Sequence, residues 1–402
     1  MGEYRFFPDR PVSNYRKSDS VFIVCSLLLW GLGIFTLYVC SPGVGERFFG
    51  NKNYFLNRQI VSSVVGFFGL IFFAVVPVKK IRKFVFMFAV ISFVLCILAF
   101  IPGIGSERKG ASRWIVIPHL FSFQPSELVK FAIVMYLAHM FDAHSSEYEE
   151  SSKEFIYPVV ALLLFVVVIF CQRNLSTGIF VFALGVAMFI LSGASLKWLI
   201  PFSILAIPAA VILVSMEEYR LMRILAYIFP EKFRLTAGYQ TSASERAIGS
   251  GGIWGTGIGD GLERISAIPE IQTDYIFAGW ATMMGLFGVT SYFILLVVFA
   301  CRGFKIALNC PDRFAAYGSF GCTLCIFCQS VFNCAVVCGA SPTTGIPLPF
   351  FSSGGSSLII TLCMCGFIIN ASHCDADKES GQTLKNKFDN IETIGGVVVE
   401  YE

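Results

Sequence analysis

One carboxylate and a few cations stand where chemistry at a membrane surface would need them. Asp274 lies in AIPEIQTDYIFAGW (267–280), at the mouth of an apolar run, in a chain that otherwise keeps charge away from such runs. What a carboxylate so placed does depends on where the membrane lies and which side the residue faces. GSERKGASRW holds Arg108, Lys109 and Arg113, and guanidinium forks match phosphate oxygens two at a time. Arg113 with Trp114 would equally suit an interfacial anchor. In FQPSELVK, Pro125 suits the first turn of a helix, which sets Glu127 and Lys130 one turn apart on one face. Ionisable residues within a span face a bundle interior or a wet cavity. The two therefore form either a self-contained ion pair or a substrate-binding pair. SPTTGIPLPFFSSGGSS (341–357), with Thr344 and Ser356, is too rich in Pro and Gly for a regular helix. Broken backbone at membrane depth needs protein or a wet cavity to satisfy it. The segment is expected to line a cavity with Gln329 and Asn333, or to serve as a purely structural re-entrant hairpin.

The elements that must position these residues are membrane helices. The chain has 402 residues, 55% hydrophobic and 14% charged, against roughly 25% charged in soluble domains. Such a chain cannot cover a water-soluble fold, and a net charge of +3 gives no reason to expect nucleic-acid binding. Ten runs have about the ~20 residues that cross a hydrocarbon core: 20–41, 59–78, 84–103, 125–141, 155–171, 175–193, 197–215, 274–300, 314–339 and 350–371. The expected fold is an all-α polytopic membrane protein of ten transmembrane helices, with a large extracytoplasmic loop, 216–273, between helices seven and eight. Its parts are a cytoplasmic leader (1–19), a membrane domain (20–371) and a polar cytoplasmic tail (372–402). The first run lacks a small-residue cleavage site and reads as a retained helix. Basic clusters at 5–17, 79–83 and 302–313 orient both termini inward. The acidic loop 142–154 also falls inside.

Two patterns invite other readings. Cys322, Cys325 and Cys328 have the spacing of an iron–sulfur ligand set, but they sit in an apolar run where cysteine packs as a small hydrophobe. GSGGIWGTGIGDG (249–261) is Gly-rich without the Gly-Lys-Ser/Thr ending of a P-loop. Its glycines read as tight turns and close backbone approach in an outer loop on the membrane surface.

Taken in order, GASRW…FSFQPSELVKFA, YQ…AIGSGGIWGTGIGDG, IPEIQTDYIFA and TTGIPLPFFSSGGSS resemble the signature blocks of the SEDS family (shape, elongation, division and sporulation) across nearly all the membrane portion. The resemblance leans toward the division-type branch. It implies a peptidoglycan glycosyltransferase that polymerises lipid II, the undecaprenyl-diphosphate-linked disaccharide peptide, on the outer face of the bacterial cytoplasmic membrane, at the septum. Carried over by motif, Asp274 is the key carboxylate, Glu127 and Lys130 the helix-borne pair, and Arg113 the outer-loop arginine. The implied partners are lipid II, the nascent lipid-linked glycan strand, a class B penicillin-binding protein (a transpeptidase) and other divisome proteins. No organic cofactor is implied, and a divalent cation, Mg or Mn, is left open. The chain departs from the family pattern at Gln272 (usually His), at Met283 and Met284 (usually acidic), at Ser266 (often acidic, with Glu263 the nearest acid) and at Arg173-Asn174 (usually Pro-Asp). These departures weaken any claim for auxiliary acids or a metal they would hold. The competing functions are lipid II flipping, an elongation-type polymerase and a non-catalytic scaffold.

Overall fold

The computed structural model describes residues 12–15, 18–108, 111–117, 121–143, 156–193, 204 and 218–376. The expected span 197–215, the loop 144–155, Lys109 and the tail from 377 lie outside the described residues. Nine of the ten expected runs are helices: α1 (Ser20–Cys40), α3 (Tyr54–Val75), α4 (Val78–Leu98), α5 (Pro125–Ala143), α6 (Ile156–Cys171), α7 (Leu175–Ser192), α12 (Ile276–Asn309), α13 (Arg313–Val337) and α14 (Gly355–Ser372). All but α5 and α6 are long and apolar enough to cross a membrane. The chain is a multi-pass, predominantly helical membrane protein. The short α2 (Pro42–Phe49) links α1 to α3. The connection before α12 holds α8 (Glu218–Ile228), α9 (Pro230–Phe233), α10 (Tyr239–Gly251) and α11 (Gly257–Ile265).

Three boundaries differ from the sequence reading. The basic cluster 79–83 lies in the first turns of α4, because the helix starts directly after Pro77. Arg302 and Lys305 belong to the last two turns of α12, which runs nine residues past its expected end. The outer loop after α4 contains β structure: β2 (Gly105–Arg108), β3 (Ala111–Ile117) and β4 (Phe121–Phe123) form an antiparallel sheet in the order β2-β3-β4. The alternation in SRWIVI suits a strand.

Helices α5, α13 and α14 fill the centre, their side chains buried on almost every side. Phe131 of α5 stacks edge-on with Phe73, Phe88 and Phe367 there. Helices α3 and α14 lie in close contact because small residues let their backbones approach; a Cβ on Gly366 would stand 2.2 Å from the Leu70 carbonyl oxygen. Cys322 and Cys325 are buried in α13 as packing residues.

The two ends of the described chain meet on one face. Ser18 bonds His373 at 2.5 Å, Arg302 pairs with Asp19 at 2.6 Å, and β1 (Val12–Tyr15) pairs with β5 (Cys374–Ala376). The α3–α4 junction lies on this face too, since Asn370 Nδ2 donates to the carbonyls of Phe73 and Val76. The N-termini of α5, α7, α12 and α14 open on the opposite face.

The Gly-rich run explains one irregularity of α12. Gly285 has φ 62°, ψ −161° and kinks the helix. The 252–256 turn docks against that kink through Leu286 N–H to Gly252 O (3.0 Å), Phe287 N–H to Ile253 O (3.2 Å) and Thr256 N–H to Thr282 O (3.0 Å). A Cβ on Gly255 would stand 2.1 Å from the Met283 carbonyl oxygen. Close backbone approach is therefore what these glycines permit.

Candidate active site

The broken segment after α13 organises this opposite face. Its carbonyls are satisfied from inside the bundle: Gln329 Nε2 donates to Pro347 O (2.8 Å), Asn333 Nδ2 to Ile346 O (2.9 Å) and Gln59 Nε2 to Ser352 O (3.0 Å). This is the satisfaction that non-helical backbone at such depth requires. The same segment grips the chain just before α12. Ser352 Oγ donates to Thr273 O (2.6 Å), Ser353 N–H to Gln272 O (2.8 Å), and Asn333 Nδ2 also to Asp274 O (3.0 Å). The Asp274 backbone is therefore held on both sides. Its half-buried carboxylate faces Gly345, where a Cβ would lie 4.0 Å from Oδ2.

Asp274 opens onto a cavity of about 1020 Å³. Its described walls hold four guanidiniums (Arg113, Arg173, Arg220, Arg223) against two carboxylates (Glu270, Asp274), a net charge of +2. Arg113 comes from β3 and Arg173 from the α6–α7 turn, where its φ is +58°. Arg113 and Arg220 both donate to the Arg173 carbonyl, Arg220 at 3.2 Å. Arg223 donates to Thr343 O at 3.2 Å and lies over the Tyr219 ring, 4.3 Å from its centroid. Burial, then the charges of Arg220 and Arg223, hold Arg113 below the ordinary arginine range; Asp274 pulls the other way, so these charges sense one another across the cavity. Thr343 Oγ1, Thr344 Oγ1, Gln272 Oε1 and Ser357 Oγ are buried without a protein hydrogen-bond partner among the described residues. Each such atom is hydrogen-bonding capacity that the described residues do not use.

Of the residues singled out by sequence, Asp274, Arg113, Thr344 and Ser356 line this cavity together. Glu127, Lys130, Gln329 and Asn333 lie behind it. Glu127 and Lys130 are each 2% exposed, and Lys130 Nζ donates to Glu127 Oε2 at 2.8 Å and to Gln329 Oε1 at 2.6 Å. Through Gln329 the pair reaches Pro347 of the broken segment, and the Glu127 N–H donates to the carbonyl of Gln124 on the cavity wall, so the pair supports the cavity without lining it. Arg108 closes β2, and its side chain lies outside the description. Arg220 and Arg223 were not singled out; their i,i+3 spacing in EYRLMR was the available signal. Among the described residues no group of three or more His, Cys, Asp or Glu side chains converges as a metal site.

The family model described as "Cell cycle protein", covering FtsW, RodA and SpoVE, matches residues 19–377. The chain belongs to this family. A "Probable peptidoglycan glycosyltransferase FtsW" from Geobacter sp. (strain M18) is 33% identical over 90% of the chain and 98% of its own length. "Stage V sporulation protein E" of Bacillus subtilis (strain 168) is 32% identical over 88% of the chain and 96% of its own. The FtsW/RodA/SpoVE fold recurs in the solved structure "Structural coordination of polymerization and crosslinking by a peptidoglycan synthase complex". One of its chains superposes with a TM-score of 0.72 at 24% identity, over 88% of this chain and 97% of that one.

Proposed function

We propose that this chain is a peptidoglycan glycosyltransferase of cell division that joins lipid II units into glycan strands. The observation that carries the reading is the Asp274 carboxylate sharing one cavity with four guanidiniums. Strand extension requires a sugar hydroxyl to attack the anomeric carbon of a strand still linked to a lipid diphosphate. Asp274 takes the hydroxyl proton as general base. The guanidiniums stabilise negative charge developing on the departing diphosphate. A single displacement at an α-linked donor leaves a β-linkage. Thr344 and Ser356 contact the sugars, while Glu127, Lys130, Gln329 and Asn333 hold the wall. Likeness to an FtsW-named relative favours division over elongation. Polymerisation is favoured over flipping because a carboxylate paired with cations is what group transfer needs. A class B penicillin-binding protein and other divisome proteins are the proposed partners, with the complex at the septum of the cytoplasmic membrane. The reading is tested by supplying the purified complex with lipid II in detergent and resolving glycan strands on a gel. Strands are expected; none from a complex with its partner bound would overturn it.

The proposed topology is ten spans in a single membrane domain, residues 20–371, with both termini cytoplasmic and 216–273 external. The basic clusters 79–83 and 302–313 lie at short connections on the face where the termini meet, as basic residues of short cytoplasmic loops do. Reporter fusions at Pro311 and Gly252 are expected to read opposite sides; the same side for both would refute it.

For Arg113 the expected outcome is graded. Arg113→Ala should lower use of lipid II about tenfold or more, the scale of one charge-assisted hydrogen bond. Arg113→Lys should recover only part, because an ammonium keeps the charge without the planar fork. Initial rates across lipid II concentrations measure this, and full activity of the alanine variant would remove Arg113 from the site.

A further inference from the structure

We propose that Arg220 and Arg223 of α8 are the residues that select a lipid-linked diphosphate over a monophosphate. This assignment rests on the polymerase reading for its substrate but can be tested apart from it. The two arginines are one helical turn apart on one face, and both line the cavity that holds Asp274. Each is already aimed by a backbone carbonyl on a different wall: Arg220 by Arg173 O and Arg223 by Thr343 O. Helix α8 therefore bridges the α6–α7 turn and the broken segment, with two forks held between them. A guanidinium offers five N–H donors, more than the bonds to Arg173 O, to Thr343 O and from Arg223 to the Tyr219 hydroxyl engage.

Charge and surroundings fix the ligand class. Four guanidiniums against two carboxylates leave a net charge of +2 on the described walls, which a phosphate-bearing anion neutralises. Two forks one turn apart address two phosphoryl groups; one fork suffices for a single phosphate. The bond that breaks lies between the anomeric carbon and the diphosphate oxygen. Its electron pair stays on that oxygen, so charge grows where these forks stand. The ligand is lipid-linked because the cavity wall continues through Ile224 to Ile179, which is exposed on the apolar surface of α7. An isoprenoid attached to the diphosphate can leave along that apolar edge, whereas free diphosphate gains nothing from it.

The test measures binding by the purified full-length chain in detergent, with undecaprenyl diphosphate, undecaprenyl monophosphate and inorganic pyrophosphate as separate probes. Arg220→Ala and Arg223→Ala are each expected to weaken undecaprenyl diphosphate about tenfold, as expected for losing a charge-assisted bond. The monophosphate should change far less. Arg220→Lys and Arg223→Lys should keep part of the preference for diphosphate, with unchanged melting temperature as the control for folding. Inorganic pyrophosphate should bind more weakly than the lipid diphosphate in the wild type. Equal losses for diphosphate and monophosphate lipids, or an unchanged diphosphate affinity, would overturn the assignment. Pyrophosphate binding as tightly as the lipid would overturn its lipid-linked part. If wild-type chain with its partner makes no strands yet these binding differences hold, the diphosphate seat stands and only the polymerase reading fails.

Discussion

Asp274→Asn is expected to reduce glycan synthesis by at least ~10²-fold, the usual scale for a lost general base. The amide keeps the size and most of the hydrogen-bonding capacity of the carboxylate but cannot take the hydroxyl proton. The fold should tolerate the change. The Asp274 backbone is anchored independently by Asn333, and its neighbours Gln272 and Thr273 by Ser353 and Ser352; none of these bonds uses the carboxylate. The measurement is strand formation by the purified variant with its partner, with lipid II supplied directly in detergent so that flipping is irrelevant. Binding of lipid II should stay close to wild type, which separates lost chemistry from a lost site. Near wild-type strand formation would end the general-base assignment.

The second large effect is expected at the buried pair. Glu127→Ala strands the Lys130 ammonium at 2% exposure with Gln329 as its remaining bonded neighbour. Removing one partner of a buried ion pair costs about 3–5 kcal/mol, whereas replacing both with apolar groups costs far less. Glu127→Ala should therefore lower the melting temperature and the yield of folded protein more than Glu127→Leu combined with Lys130→Met. Activity should fall in both: in the single variant through lost folded protein, and in the double because losing Lys130 frees Gln329, which carries the Pro347 carbonyl and with it the wall facing Asp274. The test is a double-mutant cycle of Glu127→Leu and Lys130→Met, singly and together, on thermal stability and on strand synthesis. Strict additivity of the two stability effects would refute the coupling and favour separate substrate contacts.

Much of this protein was legible from sequence because the membrane makes short-range rules strict. An apolar run of about 20 residues has few alternatives to a spanning helix, since hydrocarbon offers no partner for an open backbone. Nine of the ten runs accordingly appear as helices, with limits displaced by up to nine residues. The motifs around Asp274, Arg113 and Glu127-Lys130 were likewise visible, because charge inside or beside such runs is rare and has to have a use. The Gly-rich run was correctly assigned to close backbone approach, although its docking partner, the kink at Gly285, could not be read from spacing.

Tertiary structure alone decided how these residues divide the work. Sequence spacing could not say whether Glu127 and Lys130 face a ligand or each other. Their position behind Gln329 follows from α5 packing at the centre against α13, a contact between residues 199 positions apart. Nor could sequence bring Arg220 and Arg223 to Asp274, about fifty residues away, or bring Arg173 from the α6–α7 turn to meet both Arg113 and Arg220. Local periodicity determines which face of a helix is apolar, but the meeting of several loops at one cavity depends on how whole helices pack. That packing is fixed by long-range contacts such as the close approach of Gly366 to Leu70 and the β1–β5 pairing of the two ends, and no short window of sequence contains them.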